Sequence, residues 1–292
     1  MKVVVLLFLF GMLGFEVANA NEVDTQSTSS PKLNLCINDS GKHGADMEKM
    51  ARLQYTGTIT HTDFYTSDIF DRDNVHIAEH SNCNVVNYSW GWTLDFYKRG
   101  LKLEDNRYEY EYIRDEEYYG VQRFLDGYKG IVVSSAGNAE NADTILSSRI
   151  ARYKDRNREL GRTTYEDRIF VVGQIEVTWD GEYIHHFSEG KYIDFVVPNY
   201  GRVTEMPDIP GLYEYHIGTS VASAETSGLF SQVLEMGVPQ EALRSVLGFE
   251  DKDHVWNGIT YKVLSFEKTI ENAKKYVRAA HIKNRVAQLK KK

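Results

Sequence analysis

Apolar and polar positions alternate from the first ordered stretch onward. Leu33, Leu35 and Ile37 interleave with polar neighbours, which predicts a strand over residues 32–38, and Asp39-Ser40-Gly41 ends it as a turn. Over residues 43–53 the spacing changes. Met47, Met50 and Leu53 then fall on one helical face. Further strands are predicted at 58–65, 84–88, 130–136, 168–173 and 192–197, with a hairpin around Trp179-Asp180-Gly181. Helical patterning covers 68–80, an interrupted stretch over 94–129, and 220–236, 240–247 and 266–289. Strands alternating with helices predict one α/β domain with a mostly parallel central sheet and helices on both faces. There is no internal repeat.

Before that domain the pattern is different. Lys2 precedes an apolar run from Val3 to Phe15, and Val17-Ala18-Asn19-Ala20 ends in small residues. Residues 1–20 therefore read as a secretory signal peptide with cleavage after Ala20, and the alternative is an uncleaved anchor. The run is shorter than the ~18 apolar residues of a membrane span, and no later stretch reaches that length. Residues 21–31 are a polar, Ser/Thr-rich leader, and the folded domain is expected over 32–292. The chain of 292 residues holds 34 Lys and Arg against 42 Asp and Glu, a net charge of -8, which argues against nucleic-acid binding. In an exported protein, the two cysteines, Cys36 and Cys83, suggest one disulfide; two buried thiols are the alternative.

Three segments carry chemistry. Gly218-Thr219-Ser220-Val221-Ala222 opens a helix, where a serine nucleophile meets free backbone N–H groups and a favourable dipole. The same residues also suit a plain N-cap. Gly130 to Asn138 is a buried strand that delivers an asparagine, a suitable oxyanion donor, at its carboxyl end; a turn asparagine is the simpler reading. Asp39-Ser40-Gly41-Lys42-His43-Gly44 puts a carboxylate at the end of a strand and an imidazole at the start of a helix. Four residues span at most ~13 Å, so Asp39 and His43 can touch, as an acid orienting a base must.

Together these segments resemble the subtilisin-like serine proteases. Gly218 to Ala222 matches the nucleophile motif G-T-S-x-A, Val133 to Asn138 the oxyanion-asparagine strand, and His43-Gly44 the histidine motif. Val85 to Gly91 looks like the strand whose S-x-G end binds extended substrate. Phe187-Ser188-Glu189-Gly190, Asp194 and Pro198 resemble a further stretch of that family. The resemblance implies a subtilisin-like fold and hydrolysis through Ser220, His43 and Asp39, with Asn138 holding the oxyanion and Ser89, Trp90 and Gly91 binding substrate. In that family the aspartate and histidine elements lie further apart, so the intervening loop and strand would be deleted here. Asp39 alternatively belongs to the loop before the histidine, with the acid missing or supplied by Asp24. Ala45, Ala224 and Asn199 also depart from the family pattern.

The expected activity is thus an exported serine endopeptidase, secreted or periplasmic, acting on protein or peptide substrates. A catalytically degenerate relative serving as a binding or scaffold module is the alternative. No cofactor or metal is expected; the family often binds calcium, but no loop carries a calcium signature. No integral membrane segment remains after signal removal, and an unidentified protein partner is left open. Acidic residues crowd 104–117, where they form either a wall selecting basic substrates or a solvated face. The basic C-terminal helix is expected to dock through Ile270, Ala273, Val277 and Ala280.

Overall fold

The computed structural model describes residues 33–39, 41–62, 82–89, 121–138, 149–185, 193–200, 203–205 and 213–290. The signal and leader segments, the helical stretch at 68–80, the acidic stretch, Trp90, Gly91 and the Phe187–Gly190 motif lie outside them. Six strands run parallel in the order β2 (Thr58–Thr62), β1 (Asn34–Asn38), β3 (Val85–Tyr88), β4 (Ile131–Ser135), β5 (Ile169–Val177) and β7 (Phe195–Asn199). Beyond its pairing with β4, β5 continues and pairs antiparallel with β6 (Tyr183–His185), forming the hairpin predicted around Trp179.

The central strands are buried on both faces, so they read as apolar runs. Leu35, Ile37, Val85, Ile131, Val133, Phe170 and Val172 face α1 (Gly41–Arg52) and α3 (Thr219–Glu235). Cys36, Val86, Val132 and Ile169 face the other way, toward Phe124, Leu125 and Tyr128 and toward Ile150 and Tyr153 of α2 (Arg149–Glu159). Helices therefore cover both faces, and the expected fold class holds. A disulfide joins Cys36 in β1 to Cys83 just before β3, with Cα atoms 5.7 Å apart; bonds of this kind stabilise by about 2–4 kcal/mol.

Helix α3 runs through the centre of the first layer and is buried almost all round. Its hydroxyls remain satisfied there because Thr226, Ser227 and Ser231 donate to carbonyls four residues earlier. Phe230 packs edge-on against Phe170 at 4.8 Å and near Phe195 at 6.3 Å. Truncating such a core aromatic to alanine costs about 3–5 kcal/mol. After α3 come a short turn of helix at Gln240–Ala242 and α4 (Leu243–Val246), then the long α5 (Phe266–Leu289), whose Ile270, Ala273 and Val277 dock on the core.

Helix α2 has no counterpart in the apolar pattern. Among the described positions of its segment RIARYKDRNRE, the apolar core residues are Ile150 and Tyr153, and a third inward position is Lys154, which is fully buried. An ion pair replaces the missing apolar contact, so hydrophobic spacing carries no signal of this helix. Short hairpins, β8 (Val203–Glu205) with β9 (Tyr213–Tyr215) and β11 (His254–Trp256) with β12 (Ile259–Tyr261), are also too brief to register. The two-residue strands β10 (Gly248–Phe249) and β13 (Leu264–Ser265) pair beside α5.

Candidate active site

Parallel strands gather their carboxyl ends on one rim, where ligands sit in open α/β sheets. Asp39 follows β1, Ser89 follows β3, Asn138 lies just past β4, and α3 begins at the same rim. The chain turns from β1 into α1 almost at once. Gly44 permits this, because a Cβ there would lie 3.1 Å from the Asp39 carbonyl carbon. The tight turn sets the His43 Nδ1 2.5 Å from Asp39 Oδ2. Asp39 is buried, whereas about half of the His43 side chain is exposed. The hydrogen bond to Asp39 holds the His43 pKa above its ordinary 6.5; burial opposes this, and the Asp39 and Asp46 charges reinforce it. With Nδ1 committed to the carboxylate, Nε2 is the ring atom left for a reacting group.

Ser220 sits in the first turn of α3. The N-cap is Gly218, which has no side chain to cap with and adopts φ 130, a backbone conformation that excludes most other residues. The plain N-cap reading of Thr219 and Ser220 is thereby set aside. Gly218 N donates to the buried Gln174 Oε1 at 2.7 Å, which fixes the entry to the helix. Asn138 Oδ1 accepts from both Thr219 N and Thr219 Oγ1 at 2.8 Å. Since Oδ1 is used up by these donors, the Asn138 amide presents Nδ2 as its donor beside Gly218.

The Ser220 hydroxyl donates to the Ser89 carbonyl at 2.5 Å. Among the described residues, no hydrogen bond joins it to His43. Ser89 is itself buried, and its Oγ donates toward Asn87 Oδ1 at 2.5 Å and meets Ser223 Oγ at 3.0 Å. Asn87 Nδ2 then reaches Ser223 Oγ and Ser227 Oγ, both at 3.2 Å. Asn87 and Gln174 are supporting residues that the motifs do not reveal. The available signal was an amide in the middle of an apolar strand, which has to find a partner once buried.

The structure thus brings Asp39 to His43, and Ser220 to Ser89, with Asn138 one residue from Ser220 through Thr219. Contacts between α1 and the approach to α3 join the two groups: Lys42 Nζ reaches Glu214 Oε1 at 2.9 Å. Of the three residues expected to bind substrate, Ser89 is described and the other two are not.

No protein-family model and no curated protein matches the chain. Solved structures do. Subtilase cytotoxin SubAB aligns with a TM-score of 0.53 and 15% identity over 83% of this chain and 90% of that chain. The A-subunit of the AB5 toxin from E. coli gives 0.51 and 12% over 82% and 92%. The prenylagaramide maturation protease PagA gives 0.51 and 13% over 83% and 94%. At such identities the likeness is one of fold, and this chain shares the mixed α/β fold of these proteins, a protease among them.

Proposed function

We propose that the chain is an exported, subtilisin-like serine endopeptidase. The observation that carries this reading is the Asp39–His43 contact, made on the same sheet rim as Ser220 and Asn138. In the proposed reaction, Ser220 Oγ turns from the Ser89 carbonyl to His43 Nε2 and attacks the scissile carbonyl carbon. His43 takes its proton and returns it to the leaving amine, and water then releases the acyl group by the same route. Asp39 orients the imidazole and stabilises the imidazolium. The Ser220 N–H, in the first turn of α3 and without an intrahelical acceptor, and Asn138 Nδ2 receive the oxyanion. Ser89 directly follows Tyr88, the last paired residue of β3, and in this reading Ser89, Trp90 and Gly91 receive the peptide as an added extended strand.

The domain boundaries proposed with this activity are a signal peptide at 1–20, a leader at 21–31 and the catalytic domain at 32–292. The disulfide fits an oxidising compartment. Among the described residues no helix is long and apolar enough to cross a membrane.

A second reading, a non-catalytic binding module of the same fold, draws on the Ser220 hydroxyl bonding to Ser89 instead of His43. A fluorophosphonate probe separates the two. The protease reading expects covalent label on Ser220 of the purified mature protein, absent in Ser220→Ala. Unlabelled, folded wild type would support the binding module.

A further inference from the structure

Beside the Asp39–His43 pair lies a second group of charged side chains. Asp46 stands one helical turn after His43 on α1, Glu214 lies on β9, and His216 follows β9 on the approach to Gly218. One ligand atom from each of the three lies within 4.8 Å of the other two, and both Asp46 and His216 are only 7% exposed. We propose that these three residues bind one borderline divalent cation, with Zn2+ as the type, and so clamp α1 to the chain that leads into Ser220.

The donor set decides the class of ion. Two carboxylates alone would suit Ca2+ or Mg2+, which take oxygen ligands. An imidazole nitrogen among them favours Zn2+ or Co2+. Three protein ligands with a further position open is a common zinc arrangement at functional sites. Three ligand atoms within 4.8 Å of one another are close enough for one ion between them to reach all three with small side-chain adjustments, at about 2.0–2.2 Å each. The buried Asn199 already holds part of the frame, donating from Nδ2 to the His216 carbonyl at 3.0 Å.

The carboxylates meet lysines in this structure. Lys49 Nζ is 2.8 Å from Asp46 Oδ1 and Lys42 Nζ is 2.9 Å from Glu214 Oε1. Both lysine side chains are exposed, so water screens their hold on the two carboxylates, most of all in the open Lys42–Glu214 pair. A dication displaces them readily, or shares the carboxylates through Asp46 Oδ2 and Glu214 Oε2. The lysines then act as built-in competitors. The motifs give no hint of this site, because Asp46 is remote in sequence from the other two ligands.

The test uses the mature protein after chelation. Zn2+ titration by calorimetry should show one saturable site per chain, and Co2+ should develop visible absorption bands. Zn2+ should also raise the melting temperature, since it binds the folded state alone. His216→Ala, Glu214→Gln and Asp46→Asn should each weaken binding about tenfold or more, while Lys42→Ala should tighten it. Ser220→Ala should bind as wild type does, so the site stands or falls apart from the hydrolytic reading. No saturable uptake would overturn the proposal. So would equal uptake by His216→Ala and Glu214→Gln variants shown by circular dichroism to be folded, or displacement of Zn2+ by equimolar Ca2+.

Discussion

The two rims of the sheet solve the same problem, polar groups taken out of water, in opposite ways. At the carboxyl rim, beside the charged Asp39–His43 pair, the network around Ser220 is made of hydroxyls and amides: Ser220, Ser89, Asn87, Ser223 and Asn138. At the amino rim it is made of full charges. The fully buried Lys154 meets Asp194 at 2.6 Å and Glu166 at 3.0 Å, and Arg244 meets Asp194 at 3.1 Å. Lys154 and Arg244 also both donate to the Ile169 carbonyl at 3.2 Å, where β5 begins. A neutral hydroxyl exchanges acceptors at little cost, whereas separating buried opposite charges is expensive. The first arrangement leaves Ser220 able to change partners during a reaction. The second pins α2, α4 and two strands together. On the proposed reading, chemistry and stability are divided between opposite ends of the same strands.

That division is open to direct attack. The largest expected effect is at the carboxyl rim: Asp39→Asn should lower kcat on a peptide substrate by on the order of 10⁴ with little change in melting temperature. An equal loss of stability would show that the Asp39–His43 contact is a structural staple. At the amino rim, Lys154→Met should leave Asp194 short of a buried partner and destabilise by about 3–5 kcal/mol in denaturant unfolding, with activity per folded molecule retained. Asn138→Ala comes next, with kcat reduced on the order of 10²–10³ and KM little changed; a pure KM effect would remove it from the oxyanion site.

Smaller effects appear as pH dependence. Neutral His43 is the form that accepts a proton, and Asp39 raises its pKa, so kcat/KM should climb with pH through an apparent pKa above 6.5. Asp39→Ala should move that limb down. The same shift stabilises the fold fully below 6.5 and ceases to do so as pH rises through the raised value. Glu166 works with the opposite sign. Burial pushes its pKa up, but Lys154 and Arg158 pull it from 4.5 down to about 2. Its contribution is therefore full above pH 4.5 and fades as pH falls toward about 2. Glu166→Gln should flatten that part of the stability profile, and an unchanged acid limb would detach Glu166 from the amino-rim cluster.

Much of this was legible in the chain. Alternation locates β1, and short apolar runs locate β3, β4 and β5, within a residue or two at their starts, and the 266–289 spacing gives α5 with the bounds observed. The Cys36–Cys83 bond was expected from the cysteine count and is present. Helix α2 was missed because a lysine occupies its core-facing position. Asn87 and Gln174 were missed because each sits in an apolar run whose pattern describes the strand and says nothing of what an isolated amide bonds.

The sequence alone determined what depends on neighbours along the chain. Periodicity sets the elements, and a separation of four residues lets Asp39 reach His43, because short chain segments have few ways to run. The tertiary structure alone decided what depends on neighbours in space. It paired Lys154 with Asp194, brought Asp46 to His216, and gave the Ser220 proton to the Ser89 carbonyl. A buried donor bonds to whichever acceptor packing brings within about 3 Å, and no pattern along the chain records that distance.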